Sequence, residues 1–268
     1  MPGTPRMTSQ PVVRSDVEGC AILTLNRPER LNAISDGLLD ALDAHLDIIE
    51  KDGSRALVLT GCGRSFCVGS DLKESGGDAS ARIARMHRLM LRLDDFPKPS
   101  VAAVNGYALG GGLELALGCT FRVASSQARF GLPEIKLSVM PCYGATQMLP
   151  RMIGASRALD MMLGGEPISA ETALDWGLAD RLVTTTDELL AAASTFAISR
   201  SCHSRVAENA IRQAMREGRD TSLAEGLAVE RHLALQVACS PEALAGVAAF
   251  RSDHGEPETS TAHQRIEA

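Results

Sequence analysis

Aromatic side chains are scarce in this chain of 268 residues, which contains one Trp, two Tyr and six Phe. The core must therefore be mainly aliphatic, because hydrophobic residues still make up 45% of the sequence. A surplus of basic residues is also missing, and the formal net charge is −6. This charge argues against a general nucleic-acid binder, which needs a dense basic surface. We expect no nucleic-acid partner.

Signals for export, membrane insertion and metal binding are missing as well. The first eleven residues have no apolar core and do not fit a signal peptide. The most apolar stretch, residues 101–119, contains an Asn, a Glu and five glycines, which fits a strand, a turn and a buried helix better than a membrane span. Cys62 and Cys67 form a pair without the second pair that a zinc site needs. We predict a cytoplasmic protein with reduced thiols, no metal and no membrane association.

Short apolar runs and amphipathic stretches alternate through the first half of the chain. Apolar runs at residues 21–25, 56–60 and 101–104 predict buried strands, because each is short and bounded by turn-forming residues. Residues 38–49 and 80–93 carry apolar side chains at the spacing of one helix face. This order predicts an α/β fold with crossover connections.

The pattern changes after Val183, where the chain becomes rich in Ala and Leu. Helical patterns follow at residues 187–199, 203–216, 221–238 and 241–251. We therefore predict a flexible tail at 1–11, an α/β core at 12–185, a helical region at 186–254 and a second flexible tail at 255–268. The many small apolar positions of the helical region suit packing on itself or on a partner subunit.

Three consecutive glycines precede a helical pattern in NGYALGGGLELALG, residues 105–118. Glycines leave backbone N–H groups open to a ligand, and the first N–H groups of a helix have no partner within it. An oxygen that becomes negative during a reaction would be stabilised there, with Glu114 nearby in the first turn. The same features also occur where a Glu only stabilises a helix terminus and glycines only allow close packing.

Two further segments carry candidate residues. GRSFCVGSDLKE, residues 63–74, follows a predicted strand and offers a second backbone donor. Ser70 and Lys73 fit the S-x-x-K pattern of penicillin-recognising enzymes, but the accompanying S-D-N and K-T-G motifs are absent from the sequence. In the third segment, Pro133 predicts an extended backbone that places Glu134 at a strand edge or in a solvated turn.

Four segments taken together resemble the crotonase (enoyl-CoA hydratase/isomerase) family. They are GRSFCVGSDL, NGYALGGGLELAL, RFGLPEIKL and GGEPISAETALDWGLADRLV, in the family's order and at its spacing. The likeness runs from NRPERLNAIS at residues 26–35 to GLADRLV at 177–183 and is weaker through the helical end. The resemblance implies an α/β fold of repeated ββα units with a helical C-terminal region for oligomerisation, in homotrimers or dimers of trimers.

The resemblance also assigns roles to residues. In the family, two backbone N–H groups form an oxyanion hole, here those of Ser70 and Gly111. Hydratases also need two glutamates, here Glu114 as general base and Glu134 as proton donor. Because both are present, the resemblance implies an enoyl-CoA hydratase, which adds water reversibly and syn to a 2-enoyl-CoA thioester. It implies no cofactor, since coenzyme A is part of the substrate.

Substrate contacts are implied in the same way. The candidate residues are Arg27, Arg30, Asp71, Leu72 and Lys73 for coenzyme A, and Cys142 at the water site. The acyl chain is expected against Ile83, Met86 and Met90 on the helix at 80–93. The family usually has PGxGG near the water site, whereas this chain has PCYGA at residues 141–145. Cys142 therefore adds a side chain there.

Two alternatives stay open at this point. A double-bond isomerase, or a dehydratase of a specialised hydroxyacyl-CoA, would use the same oxyanion hole. A catalytically quiet member of the family would bind acyl-CoA or act as an assembly partner, and it would be marked by a lost or buried glutamate. Both glutamates are present in the sequence.

Overall fold

The computed structural model describes residues 10–74 and 78–253. The predicted tails at 1–11 and 255–268 lie almost wholly outside these residues. The chain divides into two compact units that meet in sequence between Cys202 and His203. Helix α7 (Thr186–Ile198), which we had grouped with the helical region, thus belongs to the first unit.

The first unit is built from strands and helices in alternation. Its strands are β1 (Val12–Val17), β2 (Cys20–Leu25), β3 (Ala56–Gly61), β4 (Ser65–Cys67), β5 (Ser100–Val104), β6 (Tyr107–Leu109), β7 (Phe121–Ser125), β8 (Arg129–Gly131), β9 (Ile168–Ser169) and β10 (Arg181–Val183). Its other helices are α1 (Asp36–Ile49), α2 (Ala79–Asp94), α3 (Gly111–Gly118), α4 (Ala145–Ile153), α5 (Ala155–Gly164) and α6 (Ala170–Asp175). Short 3-10 helices occupy Pro28–Arg30 and Pro133–Leu137.

The second unit contains helices only, within the part of the chain that the structure describes. They are α8 (Arg205–Gly218), α9 (Leu223–Ala238) and α10 (Pro241–Asp253). Helix α9 begins with a capping box, in which Ser222 and Glu225 satisfy each other's backbone N–H groups. The four helices predicted after Val183 are confirmed, with most of their ends shifted by one or two residues.

Two sheets organise the first unit. The larger has the order β1-β2-β3-β5-β7-β10, and only β1 and β2 pair in antiparallel fashion. The smaller has the order β4-β6-β8-β9, with β9 antiparallel to β8. The pairs β3/β4, β5/β6 and β7/β8 each place their first strand in the larger sheet and their second in the smaller. The predicted α/β class and the repeated ββα arrangement are confirmed.

Both faces of the larger sheet are buried along its inner strands β2, β3, β5 and β7, as is usual for parallel strands. Along β3, Leu57 and Leu59 face a large aliphatic cluster that includes α1, α2 and α3, whereas Val58 faces a second cluster. Leu189 and Phe196 of α7 complete that second cluster, which explains why α7 belongs to the first unit.

The helices and the cysteines also bear on the predictions for membrane association and thiols. Within the described ranges, no single helix is long and apolar enough to cross a membrane. One bent pair, α9 with α10, meets the length and composition criteria only when its two helices are combined. All seven cysteines are free thiols.

Candidate active site

Two loops that leave neighbouring parallel strands meet at the site. One follows β4 and contains Gly69 and Ser70, and the other follows β6 and contains Gly110 and Gly111. Gly69 has a φ of +95°, and a Cβ added there would lie 3.2 Å from the Gly111 nitrogen. A side chain at position 69 would therefore be strained and would separate the two loops.

The Ser70 N–H is directed by its neighbours in a short parallel bridge with Ile34. The Ile34 N–H donates to the Gly69 carbonyl at 2.8 Å, and the Asp71 N–H donates to the Ile34 carbonyl at 2.9 Å. In a parallel pairing, a residue between two bonded neighbours, here Ser70 between Gly69 and Asp71, directs its own N–H to the opposite side. Ser70 therefore directs its donor away from Ile34.

The second donor comes from the start of α3. Gly111 is the first residue of this helix, so its N–H has no acceptor within the helix and lies at the positive end of the helix dipole. Ser70 and Gly111 line the same cavity, whose volume is about 770 Å³. The structure thus brings the two predicted donors together on one cavity wall.

Glu114 lies in the first turn of α3 and lines this cavity, although only 1% of the residue is exposed. Its Oε1 accepts hydrogen bonds from the N–H groups of Tyr143, at 2.7 Å, and Ala145, at 2.9 Å. Burial raises the pKa of this carboxyl, and the two backbone donors oppose the rise. The donors fix one oxygen in place and stabilise the carboxylate form.

Glu134 occupies the 3-10 helix at Pro133–Leu137, so the prediction of an extended backbone was wrong. Proline suits the first position of a helix, and the preceding residue, Leu132, has a non-helical backbone with φ −126° and ψ 79°. The Glu134 Oε1 lies 3.0 Å from the position of a Cβ added to Gly110. Among the described residues, its Oε2 is buried without a hydrogen-bond partner.

The surroundings of Glu134 favour its protonated form. Burial raises the pKa of this carboxyl to about 7, and the charge of Glu114 adds to the rise. Two carboxyls of one cavity therefore differ in environment, since Glu114 has two backbone donors and Glu134 has an unpartnered oxygen. Such a difference suits one group to accept a proton and the other to give one.

The segment at residues 141–145 supplies Cys142 and Tyr143 to the cavity wall. The half-buried Cys142 places its carbonyl oxygen 2.8 Å from the His87 Nε2 atom. Burial and the nearby charges of Glu114 and Glu134 raise the pKa of the Cys142 thiol, which keeps it neutral. Sequence reasoning noted this segment as unusual but gave Tyr143 no role.

The candidate coenzyme A residues have different positions. Leu72 lines the cavity, while Arg30 and Lys73 are exposed. The Arg27 guanidinium donates to the Ala33 carbonyl at 2.7 Å and to the Asp71 carboxylate at 3.0 Å. Arg27 and Asp71 therefore tie two loops together, and the proposed contacts of this group with coenzyme A stay predictions.

The residues predicted to contact the acyl chain separate into two groups. Ile83 lines the cavity, whereas Met86 and Met90 are buried in the interior, with 0% and 4% exposure. Only Ile83 of the three is placed to contact an acyl chain. Larger aliphatic side chains that also line the cavity are those of Val68, Leu72, Leu137, Val139 and Met140.

No group of three or more His, Cys, Asp or Glu side chains with the arrangement of a metal site occurs in the ranges that the structure covers. The cavity is lined by the residues of the two predicted backbone donors, Ser70 and Gly111, and by two carboxyls, Glu114 and Glu134. Such a set can stabilise an oxyanion and move protons on a bound ligand.

Comparisons with known proteins find a family model, relatives and solved structures that are similar to this chain. A family model described as enoyl-CoA hydratase/isomerase matches residues 16–254. The 2,3-dehydroadipyl-CoA hydratase of Escherichia coli (strain K12) is 43% identical over 232 residues, which are 85% of this chain and 91% of that protein. A probable enoyl-CoA hydratase of Rhizobium meliloti (strain 1021) is 38% identical over 85% of this chain and 90% of that protein.

Solved structures also share the fold. The enoyl-CoA hydratase from Bacillus anthracis has a TM-score of 0.86 at 33% identity, and the match covers 91% of this chain and 97% of that one. An enoyl-CoA hydratase from Mycobacterium smegmatis has a TM-score of 0.85 at 28% identity, covering 94% of this chain and 100% of that one.

Proposed function

The chain belongs to the enoyl-CoA hydratase/isomerase family, the crotonase superfamily, and on that premise we propose that Glu114 and Glu134 carry out its hydratase chemistry. The enzyme adds water to a 2-enoyl-CoA thioester. In our proposal the N–H groups of Ser70 and Gly111 hold the thioester oxygen. The observation that carries this assignment is that both donors and both carboxyls line one cavity.

The steps conserve atoms and charge. Water attacks C3 of the enoyl group while the Glu114 carboxylate takes a proton from it. The electron pair of the double bond moves towards the thioester oxygen, which becomes an enolate held by the two N–H groups. Glu134 then gives its proton to C2, and the reverse sequence removes water. Each backbone donor is worth about 3–4 kcal/mol in the transition state.

The proposal predicts a large loss of activity when either carboxyl becomes an amide. Glu114→Gln and Glu134→Gln are each expected to lower kcat for crotonyl-CoA by about 10²–10⁴-fold, because each removes one proton-transfer group. The rate is followed by the loss of the enoyl absorbance. Glu188→Gln, an exposed carboxyl on α7, serves as the control and is expected to keep full activity. Wild-type turnover by both active-site variants would refute the assignment.

Cys142 is the observation that favours an isomerase as the second candidate. Its side chain lines the cavity beside the two glutamates, where a hydratase must admit water. An isomerase would convert a 3-enoyl-CoA into the 2-enoyl thioester and leave crotonyl-CoA unchanged. Comparison of these two substrates separates the activities. A panel of acyl lengths that includes 2,3-dehydroadipyl-CoA would then define the preferred acyl group.

We also propose that the protein is cytoplasmic and assembles as a homotrimer or a dimer of trimers, without a cofactor. Support for assembly comes from exposed apolar side chains on the second unit, namely Ile211, Met215, Leu227, Leu235 and Phe250. Light scattering is expected to give three or six times the chain mass of 28.4 kDa. A monomer mass would overturn this proposal.

A further inference from the structure

Tyr143 contacts three of the proposed active-site residues through its backbone and its side chain, although it transfers no proton in the proposed hydration. Its N–H donates to Glu114 Oε1 at 2.7 Å, and its phenol oxygen lies 2.7 Å from Ser70 Oγ. A Cβ added to Gly111 would lie 2.8 Å from the Tyr143 Cδ2 atom, so the ring lies directly against that glycine. One residue therefore contacts both oxyanion donors and the general base.

The hydrogen bond between the phenol and Ser70 acts on the oxyanion hole. The Ser70 backbone is held on one side by its bridge with Ile34, and the Tyr143 hydroxyl holds its side chain. The direction of the Ser70 N–H depends on both. Misplacement of a reacting group by about 1 Å can lower the rate roughly 100-fold. Holding the Ser70 N–H in one direction therefore preserves the rate of the reaction.

The aromatic ring has a second effect on the same donors. Tyr143 is only 6% exposed and lines the cavity, and its ring lies against the Cβ position of Gly111. The ring therefore leaves less room for water next to this glycine. Hydrogen bonds to a developing oxyanion are stronger where water is excluded.

We propose that Tyr143 is a positioning residue, which couples the oxyanion hole to the general base through its hydroxyl bond with Ser70 and its N–H bond with Glu114. This inference rests on the roles proposed above for Ser70, Gly111 and Glu114. Packing alone requires only the ring, whereas coupling requires the hydroxyl. Tyr143→Phe separates the two, because it keeps the ring and the backbone N–H and removes only the phenol oxygen.

The test compares Tyr143→Phe, Ser70→Ala and the double variant with crotonyl-CoA. Each single change is expected to lower kcat about tenfold, the effect of one hydrogen bond of about 1.4 kcal/mol, with KM changed less than about twofold. The double variant is expected to be no slower than either single one, because both remove the same bond. The matched control is Tyr107→Phe, which changes the chain's other tyrosine, a 43% exposed residue.

A spectroscopic measurement distinguishes positioning from a structural role. Acetoacetyl-CoA bound in the site ionises to an enolate with its own ultraviolet absorbance, and an aligned oxyanion hole favours that enolate. Tyr143→Phe and Ser70→Ala are each expected to reduce the bound enolate-to-keto ratio about tenfold at constant pH, in step with kcat. A merely structural role would leave the ratio of the folded, bound variant at the wild-type value.

Three results would each overturn the role of Tyr143: wild-type kcat in Tyr143→Phe, losses that add in the double variant, or an unchanged enolate ratio. The hydratase assignment is tested separately, and loss of activity in Glu114→Gln would still support it. A wild-type enzyme that does not hydrate crotonyl-CoA would count against the proposed function. The enolate ratio would still decide the role of Tyr143, since it requires no turnover.

Discussion

At the residue scale, the two carboxyls that we propose as base and acid, Glu114 and Glu134, have different surroundings. Glu114 accepts two backbone hydrogen bonds, which stabilise its charged form, whereas Glu134 has a buried oxygen without a partner among the described residues. Burial raises the pKa of both carboxyls, for Glu134 to about 7. A pKa of about 7 leaves Glu134 partly protonated near neutral pH, whereas the two backbone donors favour the carboxylate form of Glu114.

This arrangement predicts the pH dependence of the reaction. Hydration needs Glu134 protonated and Glu114 ionised, so kcat/KM should fall as the pH rises through about 7 and again at acid pH when Glu114 becomes protonated. Dehydration needs the opposite arrangement, with Glu114 protonated and Glu134 ionised. Because both arrangements carry one proton on the pair of carboxyls, dehydration should show the same bell-shaped pH profile. The measurement is kcat/KM for crotonyl-CoA and 3-hydroxybutyryl-CoA from pH 5 to 9. Activity that keeps rising above pH 8 would contradict the assigned proton donor.

The sequence predicted which four residues form the candidate site, but it gave no indication of their surroundings. The family motifs placed Ser70, Gly111, Glu114 and Glu134 by number, and all four line one cavity. The contact between Ser70 and Tyr143 joins residues far apart in the chain, so no local pattern indicates it. Its one signal was a large aromatic residue in a segment where the family usually has glycines.

At the scale of helices and strands, the length of a strand determined whether the sequence predicted it. β2, β3 and β5 have five or six residues of buried, mostly apolar character, and they were predicted to within one residue at each end. β4, β6 and β8 have three residues each, which is too short for a periodic pattern to be recognised. The smaller sheet was therefore missed, although it carries the loops of the site.

The packing of α3 against β4 gives a prediction at this scale. A Cβ added to Gly112 would collide with the Cys67 carbonyl, so Gly112→Ala should separate the helix from the strand and lower Tm by about 5 °C. Gly37→Ala is the matched control, because that helical glycine in α1 has open space around its Cβ position. Its Tm should stay unchanged or rise slightly, since alanine favours a helix. Scanning calorimetry compares the two, and an equal Tm in both variants would contradict the packing argument.

At the scale of the whole molecule, the topology brings together the groups that we propose as catalytic. Parallel pairing of β4 with β6 places the loop with Ser70 beside the start of α3 with Gly111. The alternation of apolar runs predicted this α/β class, and the predicted helices after Val183 are present. The division between the units could not be predicted, because the burial of α7 against the larger sheet depends on distant strands.

We propose that two carboxyls that line one cavity, Glu114 and Glu134, deliver water and a proton to the same face of the substrate. Hydration of crotonyl-CoA in D2O, followed by NMR analysis of the product, tests this directly. We expect 3-hydroxybutyryl-CoA with a single deuterium at C2, syn to the new hydroxyl group. Deuterium anti to the hydroxyl, or distributed over both C2 positions during the first turnover, would rule out delivery to one face.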